Sequence, residues 1–365
     1  MSGADSAGDI RPGPVVLFGS GETGPTGRLA CERVLARYAR PVRVVVLETP
    51  AGFQPNSALV AGRVADFFRQ RLPNFAPDVT VIPARRRDSE LGTNNPALLA
   101  PIRRADALFL GPGSPTYTVK HLAATLAYRA LAARHRQGAA LILASAAAIA
   151  FGTYALPVYE IYKVGDDPHW QSGLDFFGLY GLRLVVVPHW NNREGGEELD
   201  TSRCFMGQER WARLEALLPP GLTVLGIEEQ TAALLDFERA TVEVVGRGAV
   251  IIRRDREETT FGPGETFALD RLGRWEIPPA SWLPMPEGIP EPPEPELPAE
   301  VVRLVWEREA ARRAADWARA DALRAELNRL GYEIQDTREG PRWRPTGQRQ
   351  APFRPVPAPE TLPGS

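Results

Sequence analysis

Cysteine is nearly absent from this chain. Cys31 and Cys204 are the only two in 365 residues, too few for a disulfide framework and without metal-site spacing. Lysine is equally rare: Lys120 and Lys163 stand alone among 43 basic residues, a bias we assign to genome composition rather than function. The formal net charge is only -2, so no global field points to nucleic acid or to a membrane surface. No apolar run reaches the roughly 20 residues that span a bilayer. The opening "MSGADSAGDIRPGP" lacks the apolar core of a signal peptide. These absences lead us to expect a soluble, cytoplasmic protein in a reducing compartment, with no membrane partner.

What is present is a series of short apolar runs separated by helix-like segments. The runs are Pro14–Gly21, Val42–Thr49, Val79–Ala84, Ala107–Gly113, Ala140–Ser145 and Leu182–His189. Continuous apolar runs of this length suit strands covered on both faces, as in parallel sheets. The intervening segments Gly27–Tyr38, Asn56–Arg71, Pro96–Arg103 and Tyr117–Arg136 read as helices, with another near Gln208–Leu218. This alternation predicts an α/β fold with a doubly wound, mostly parallel sheet over residues 13–276. The later runs "TVLGIEE", "AALLDFE" and "TVEVVGRGAVIIRR" are expected at the far edge of the same sheet, partly antiparallel. Residues 277–298 are dense in proline and acidic, which predicts an extended linker. Residues 299–345 form a helical appendage with a short β-hairpin, and the proline-rich tail 346–365 is expected to be disordered.

In open α/β sheets, sites form outside the carboxyl ends of the strands. Ser145 ends one run, His189 ends the next, and Glu228 and Glu229 end a later one. Serine, imidazole and carboxylate together make an activated nucleophile: the imidazole takes the serine proton, and the carboxylate fixes the tautomer and stabilises the charged ring. The competing reading makes Ser145 a helix cap before "AAAIA". Of the four histidines, His121 and His135 fall in a helical segment where a solvated side chain is expected, and His169 falls in a loop. Only His189 follows a strand. The turn "LGPGSP" can offer backbone N–H groups near Gly111 and Gly113 to an oxyanion, whereas Pro112 has none to give. The loop "LFGSGETGPTG" has neither a complete dinucleotide fingerprint nor the Lys-Ser/Thr of a P-loop, and we expect it to line the site.

The segments "LFLGPGSPTYTVKHL", "LASAAAIAFG", "VVVPHWNNREGG" and "TVLGIEEQTAALLDF" occur in the order seen in the peptidase E and cyanophycinase family of serine peptidases, which this chain resembles from about Val15 to Arg254. The resemblance implies a class I glutamine amidotransferase-like fold, Ser145 as nucleophile, His189 as base and Glu229 as the acidic partner. It also implies an oxyanion hole from the Ala146 amide and a glycine amide of the "GPG" turn, a small peptide or amide substrate, and no metal or cofactor. The family elbow reads Gly-x-Ser-Ala-Gly-Ala; here Leu143 and Ala147 replace both glycines. Arg193 and Glu194 in "HWNNREGG" fit two readings, recognition of a charged substrate or a solvated loop.

The elements "DWARADALRAEL", "LGYEIQDT" and "EGPRW" closely resemble the C-terminal end of bacterial cysteinyl-tRNA synthetase. That resemblance implies tRNA or a protein as partner. Arg312, Arg319 and Arg324 are RNA-contact candidates, although the acidic residues interleaved with them equally fit a solvated helix face, and Trp317 and Trp343 are expected to pack a small core. No His-Ile-Gly-His or Lys-Met-Ser-Lys signature occurs, so the chain is not expected to be an aminoacyl-tRNA ligase. The lost elbow glycines leave a second reading: a non-catalytic binding protein that keeps the fold and uses the appendage.

Overall fold

A computed structural model describes residues 11–255, 257–279, 281, 283–292, 297–346 and 353–358. Five of the apolar runs form parallel strands: β1 (Val15–Phe18), β2 (Arg43–Leu47), β3 (Asp78–Ile82), β4 (Ala107–Leu110) and β5 (Ala140–Ala144), in spatial order β1-β5-β4-β2-β3. Both faces of this sheet are covered, which is why the runs are apolar throughout. Leu17, Leu110, Leu141 and Leu143 point into one core; Phe18, Phe109, Ile142 and Ala144 point into the other. Helices α1 (Pro25–Leu35) and α2 (Ser57–Arg71) cover the second face. Helices α3 (Pro96–Leu99), α4 (Pro115–Leu122), α5 (Leu126–Arg136) and α6 (Ala146–Ala150) cover the first.

Beyond the two-stranded ladder of β6 (Tyr154–Ala155) and β7 (Gln171–Ser172), the chain departs from the single sheet expected. β8 (Leu184–Val187) pairs in parallel with β9 (Thr223–Ile227) in a separate four-stranded sheet completed by β12 (Val250–Arg254) and β13 (Glu257–Phe261). Antiparallel β10 (Thr231–Asp236), β11 (Thr241–Gly246) and β14 (Thr266–Ala268) instead extend the main sheet past β1. The reason is edge occupancy. β1 is hydrogen-bonded to β5 on one side and β10 on the other, so β8 has no free edge there and packs on the first face. A short turn α7 (Ser202–Phe205) and helix α8 (Gly207–Ala216) lie between β8 and β9.

The segment expected to be one helix, Tyr117–Arg136, is two. Ala124 has φ 56°, and Thr125 caps α5 by accepting from the Tyr128 amide at 3.3 Å. His135, expected to be solvated, is fully buried instead. Its Nδ1 is 2.8 Å from the Tyr180 hydroxyl, among Phe176, Tyr180 and Phe237.

In the segment 277–298, the described residues contain no helix or strand long enough to pack as an element, yet they are tied down. Arg136 donates to the Pro278 carbonyl at 2.9 Å, Arg103 and Arg104 hold Glu291, and Ile289 is buried. The appendage folds as α9 (Ala299–Arg313), α10 (Trp317–Arg329), and a sheet of β15 (Tyr332–Thr337), β16 (Gly340–Pro345) and β17 (Arg354–Pro355). Ala315, at φ 60°, separates the helices, and Asp316 caps α10 by accepting from the Arg319 amide. β17 falls in the tail expected to be disordered, so Phe353–Ala358 is a correction to that expectation; residues 347–352 and 359–365 lie outside the described residues. Trp343 is buried in the appendage core with Val305, Leu327 and Ile334, but Trp317 is 60% exposed, against expectation. Its place at the first turn of α10 puts it outside the stripe of Ala320, Leu323 and Leu327. The appendage meets the α/β body at the amino ends of β2 and β3, where Tyr332 and Trp343 border a crevice shared with Pro41, Arg43 and Asp78.

Burial pushes His135 from its ordinary value of 6.5 down to about 3. Between these values the unfolded chain binds a proton that the folded chain refuses, so stability rises with pH through this window and falls as pH drops below 6.5. His135→Gln should flatten this dependence by up to ~1.4 kcal/mol per pH unit, read from urea unfolding at pH 4.5 to 7. An unchanged slope would show that His135 is not buried in its neutral form.

Candidate active site

The carboxyl ends of β5, β8 and β9 converge. His189 stands two residues beyond β8 and Glu229 two beyond β9; the strands are parallel, so both ends emerge together, and the two side chains meet one step off the ladder, which pairs Val187 with Gly226. His189 Nδ1 lies 3.2 Å from Glu229 Oε1, and His189 Nε2 lies 3.0 Å from Ser145 Oγ. Glu228 faces away: its carboxylate accepts from the Ala249 amide at 2.8 Å.

Ser145 joins β5 to α6 at φ 50° and ψ -111°. Such a conformation costs a non-glycine residue about 1–3 kcal/mol and persists only where surroundings hold it. The side chain makes no capping hydrogen bond to α6, so the cap geometry is absent. Leu143, the bulky residue at the first elbow position, is accommodated because its side chain points into the sheet core beside Leu17 and Leu110. Ala147 is small and fully buried.

Three more groups fix the carboxylate and the ring. Asn192, 2% exposed, donates from Nδ2 to Glu229 Oε1 at 2.9 Å, and Asn191 Oδ1 accepts from the Glu229 amide at 2.8 Å. The His189 amide donates to the Gly19 carbonyl at 3.2 Å. Gly19 has no room for a side chain, since a Cβ there would sit 2.0 Å from the Glu228 carbonyl oxygen. The glycine loop that begins at Gly19 therefore backs His189 rather than lining the cavity as expected.

A cavity of about 300 Å³ opens at Ser145. Its wall includes Gly113, Ala146, Tyr159, Lys163, Glu194 and Phe205. Gly113 must be glycine: an added Cβ would lie 1.9 Å from the Pro50 carbonyl oxygen. Ala146 is the first residue of α6, where amides have no partner within the helix. Gly111 is not brought to this cavity; it borders a separate crevice with Phe109 and Val46. Arg193 is likewise outside and faces an open groove with Asn191 and Asp200. Cys204 touches the cavity, but burial, and then the nearby Glu229 charge, push its thiol up to about 12, so it is not a nucleophile. Its turn is left-handed, with φ 56°, 58° and 69° at Arg203, Cys204 and Phe205. The Arg203 guanidinium sits 4.0 Å over the Trp190 ring and holds that turn against the strand end. Among the described residues no cluster of three His, Cys, Asp or Glu side chains is arranged to hold a metal. Sequence reasoning missed Asn191, Asn192 and Lys163; the first two stand two and three residues after His189 in "HWNN", and that proximity was the available signal.

In the appendage, Arg312 is 2.6 Å from Asp336, and Arg308, 3% exposed, bonds both oxygens of the same carboxylate. Arg319 and Arg324 are exposed on α10.

Residues 294–344 match the family model of the cysteinyl-tRNA ligase anticodon binding domain. Over 47 residues the chain is 57% identical to the cysteine–tRNA ligase of Methanosarcina mazei and 49% identical to that of Chlamydia abortus, in each case 13% of this chain and 10% of the relative. The chain thus spans about a tenth of the length of these curated relatives. The α/β body has the fold of a peptidase from an acI-B1 actinobacterium, with TM-score 0.57 at 20% identity, covering 71% of this chain and 98% of that one.

Asn192→Asp should remove the donor to Glu229 Oε1 and set a second carboxylate against it. The rate of fluorophosphonate labelling of the protein at pH 7 should then fall by about tenfold. A labelling rate unchanged from wild type in the folded variant would show that Asn192 does not hold the Glu229–His189 pair.

Proposed function

We propose that this chain is a serine hydrolase of the peptidase E and cyanophycinase type, cleaving a peptide or amide bond through Ser145, His189 and Glu229. The observation that carries this reading is the strained Ser145 with its hydroxyl 3.0 Å from an imidazole that is itself backed by a carboxylate. His189 takes the Ser145 proton as Oγ attacks the carbonyl carbon. Glu229 holds the ring with Nδ1 protonated and offsets the charge it gains. Amides of Ala146 and Gly113, both at the cavity wall, are the donors aimed at the oxyanion. The tetrahedral intermediate collapses as His189 gives its proton to the leaving amine, and water then releases the acyl group from Ser145. Glu194 and Lys163 supply one charge of each sign for reading substrate. In the same proposal, the ligase-like appendage engages tRNA or a protein partner, with Trp317, Arg319 and Arg324 on its open face.

A fluorophosphonate probe should add covalently to wild type and not to Ser145→Ala, as read by intact-protein and peptide mass spectrometry. Hydrolysis of aspartyl and arginyl peptides should fall by about 10³-fold or more in Ser145→Ala. Equal hydrolysis by a folded Ser145→Ala protein would overturn the nucleophile assignment.

A further inference from the structure

Helix α4, whose first turn lines the cavity, carries an aromatic and cationic patch that the hydrolytic machinery does not use. Pro115, in the first turn of α4, lines the cavity, and Tyr117, Lys120 and His121 follow on the same helix. The Tyr117 ring lies 5.3 Å from that of Phe53, which is 47% exposed, and 4.2 Å from that of His121. Arg86 and Lys120 are exposed, and neither has an ion-pair partner among the described residues. Arg87 donates its backbone amide to His121 Nδ1 at 3.2 Å, which leaves Nε2 to carry the ring's proton as a donor. Its side chain bonds the Ala123 carbonyl. Burial, then the cations Lys120, Arg87 and Arg86, push His121 below its ordinary range, opposed by the one nearby carboxylate, Asp88. Two exposed cations, Arg86 and Lys120, and the exposed Phe53 ring, set against the half-buried Tyr117 and His121 rings, therefore lie on and around the helix whose first turn lines the cavity.

We propose that this patch docks the 3′ end of an RNA strand and that Ser145 hydrolyses an aminoacyl ester carried there. Stacking rings combined with cations are the recognition chemistry of unpaired nucleotides. An acidic peptide would engage the cations and leave the ring faces unused. The cavity adds a second match. An aminoacyl ester on a nucleotide has an ammonium on one side of the ester and a phosphate on the other, and the cavity offers the Glu194 carboxylate and the Lys163 ammonium. Its 300 Å³ is the low end of small-ligand sites and suits one acyl group. The reaction is balanced without a co-reactant other than water. Ser145 Oγ bonds to the ester carbon, the ribose oxygen leaves with the proton that His189 took from Ser145, and water then cleaves the acyl–serine ester to give the free amino acid. This inference rests on the Ser145 reading above.

The test uses the full chain and three probes: an RNA microhelix with alanine esterified at its 3′ end, alanine ethyl ester, and an aspartyl-alanine dipeptide. The RNA ester should exceed the ethyl ester in kcat/KM by about tenfold or more at low salt. That ratio should collapse with rising salt and in the double variant Arg86→Glu, Lys120→Glu, whose folding is checked by thermal unfolding. A wild-type ratio near one, or a ratio the double variant leaves intact, overturns the proposal. So does a dipeptide rate that carries the same dependence on salt and on the patch, which would assign the patch to acidic peptides. Fluorophosphonate labelling separates the two levels: a labelled Ser145 with a ratio near one sinks only the RNA inference, whereas an unlabelled Ser145 sinks the hydrolase reading beneath it.

Discussion

The backbone reversal at Ser145 is the constraint on which the rest of the site depends. Between β5 and α6 the chain turns through a conformation that only packing can hold, and that turn aims the hydroxyl away from its own helix and toward His189. The conditions that hold it are local and apolar. β5 lies between β1 and β4, hydrogen-bonded on both sides, Leu143 is locked into the core, and α6 is built from alanine and isoleucine buried on every side. Relaxing Ser145 to a helical conformation would carry Oγ away from the imidazole, and His189 and Glu229 would then have nothing to activate.

The second sheet supplies the partner groups. Because β8 and β9 run parallel, His189 and Glu229 emerge at the same end of the sheet. Asn191 and Asn192 then fix the Glu229 segment by one bond to its amide and one to its carboxylate. His189 is itself strained, with φ 52°, and its amide is anchored on Gly19 from the main sheet. The site is thus a seam between two sheets, with the nucleophile on one and the base and carboxylate on the other.

Much of this was legible in the sequence because each reacting side chain ends an apolar run, and runs covered on both faces imply strands whose carboxyl ends converge. The partition into two sheets was not legible. The runs ending at Val187 and Ile227 are as apolar as those of the main sheet, and only the pairing of β1 with β10 excludes them from it. The burial of His135 had a signal that was overlooked: it lies four residues beyond Leu131 and eight beyond Ala127, on the buried stripe of α5. Trp317 shows the reverse case, a large apolar residue one position off the buried stripe of its helix. The appendage was recognisable as a segment, yet the fate of its arginines depends on tertiary pairing. Arg308 and Arg312 are engaged with Asp336 from β15, while ten arginines against nine carboxylates over residues 297–346 leave the module nearly neutral. Its place at the amino ends of β2 and β3 puts it at the opposite end of the parallel strands from Ser145.

The most direct test of the central claim is a crystal structure of the full chain after reaction with a fluorophosphonate. The account predicts phosphorus bonded to Ser145 Oγ, the serine backbone still at positive φ, a phosphonyl oxygen facing the Ala146 and Gly113 amides, and His189 still held by Glu229. A Ser145 in ordinary helical conformation, with His189 beyond hydrogen-bond reach and no adduct, would contradict it.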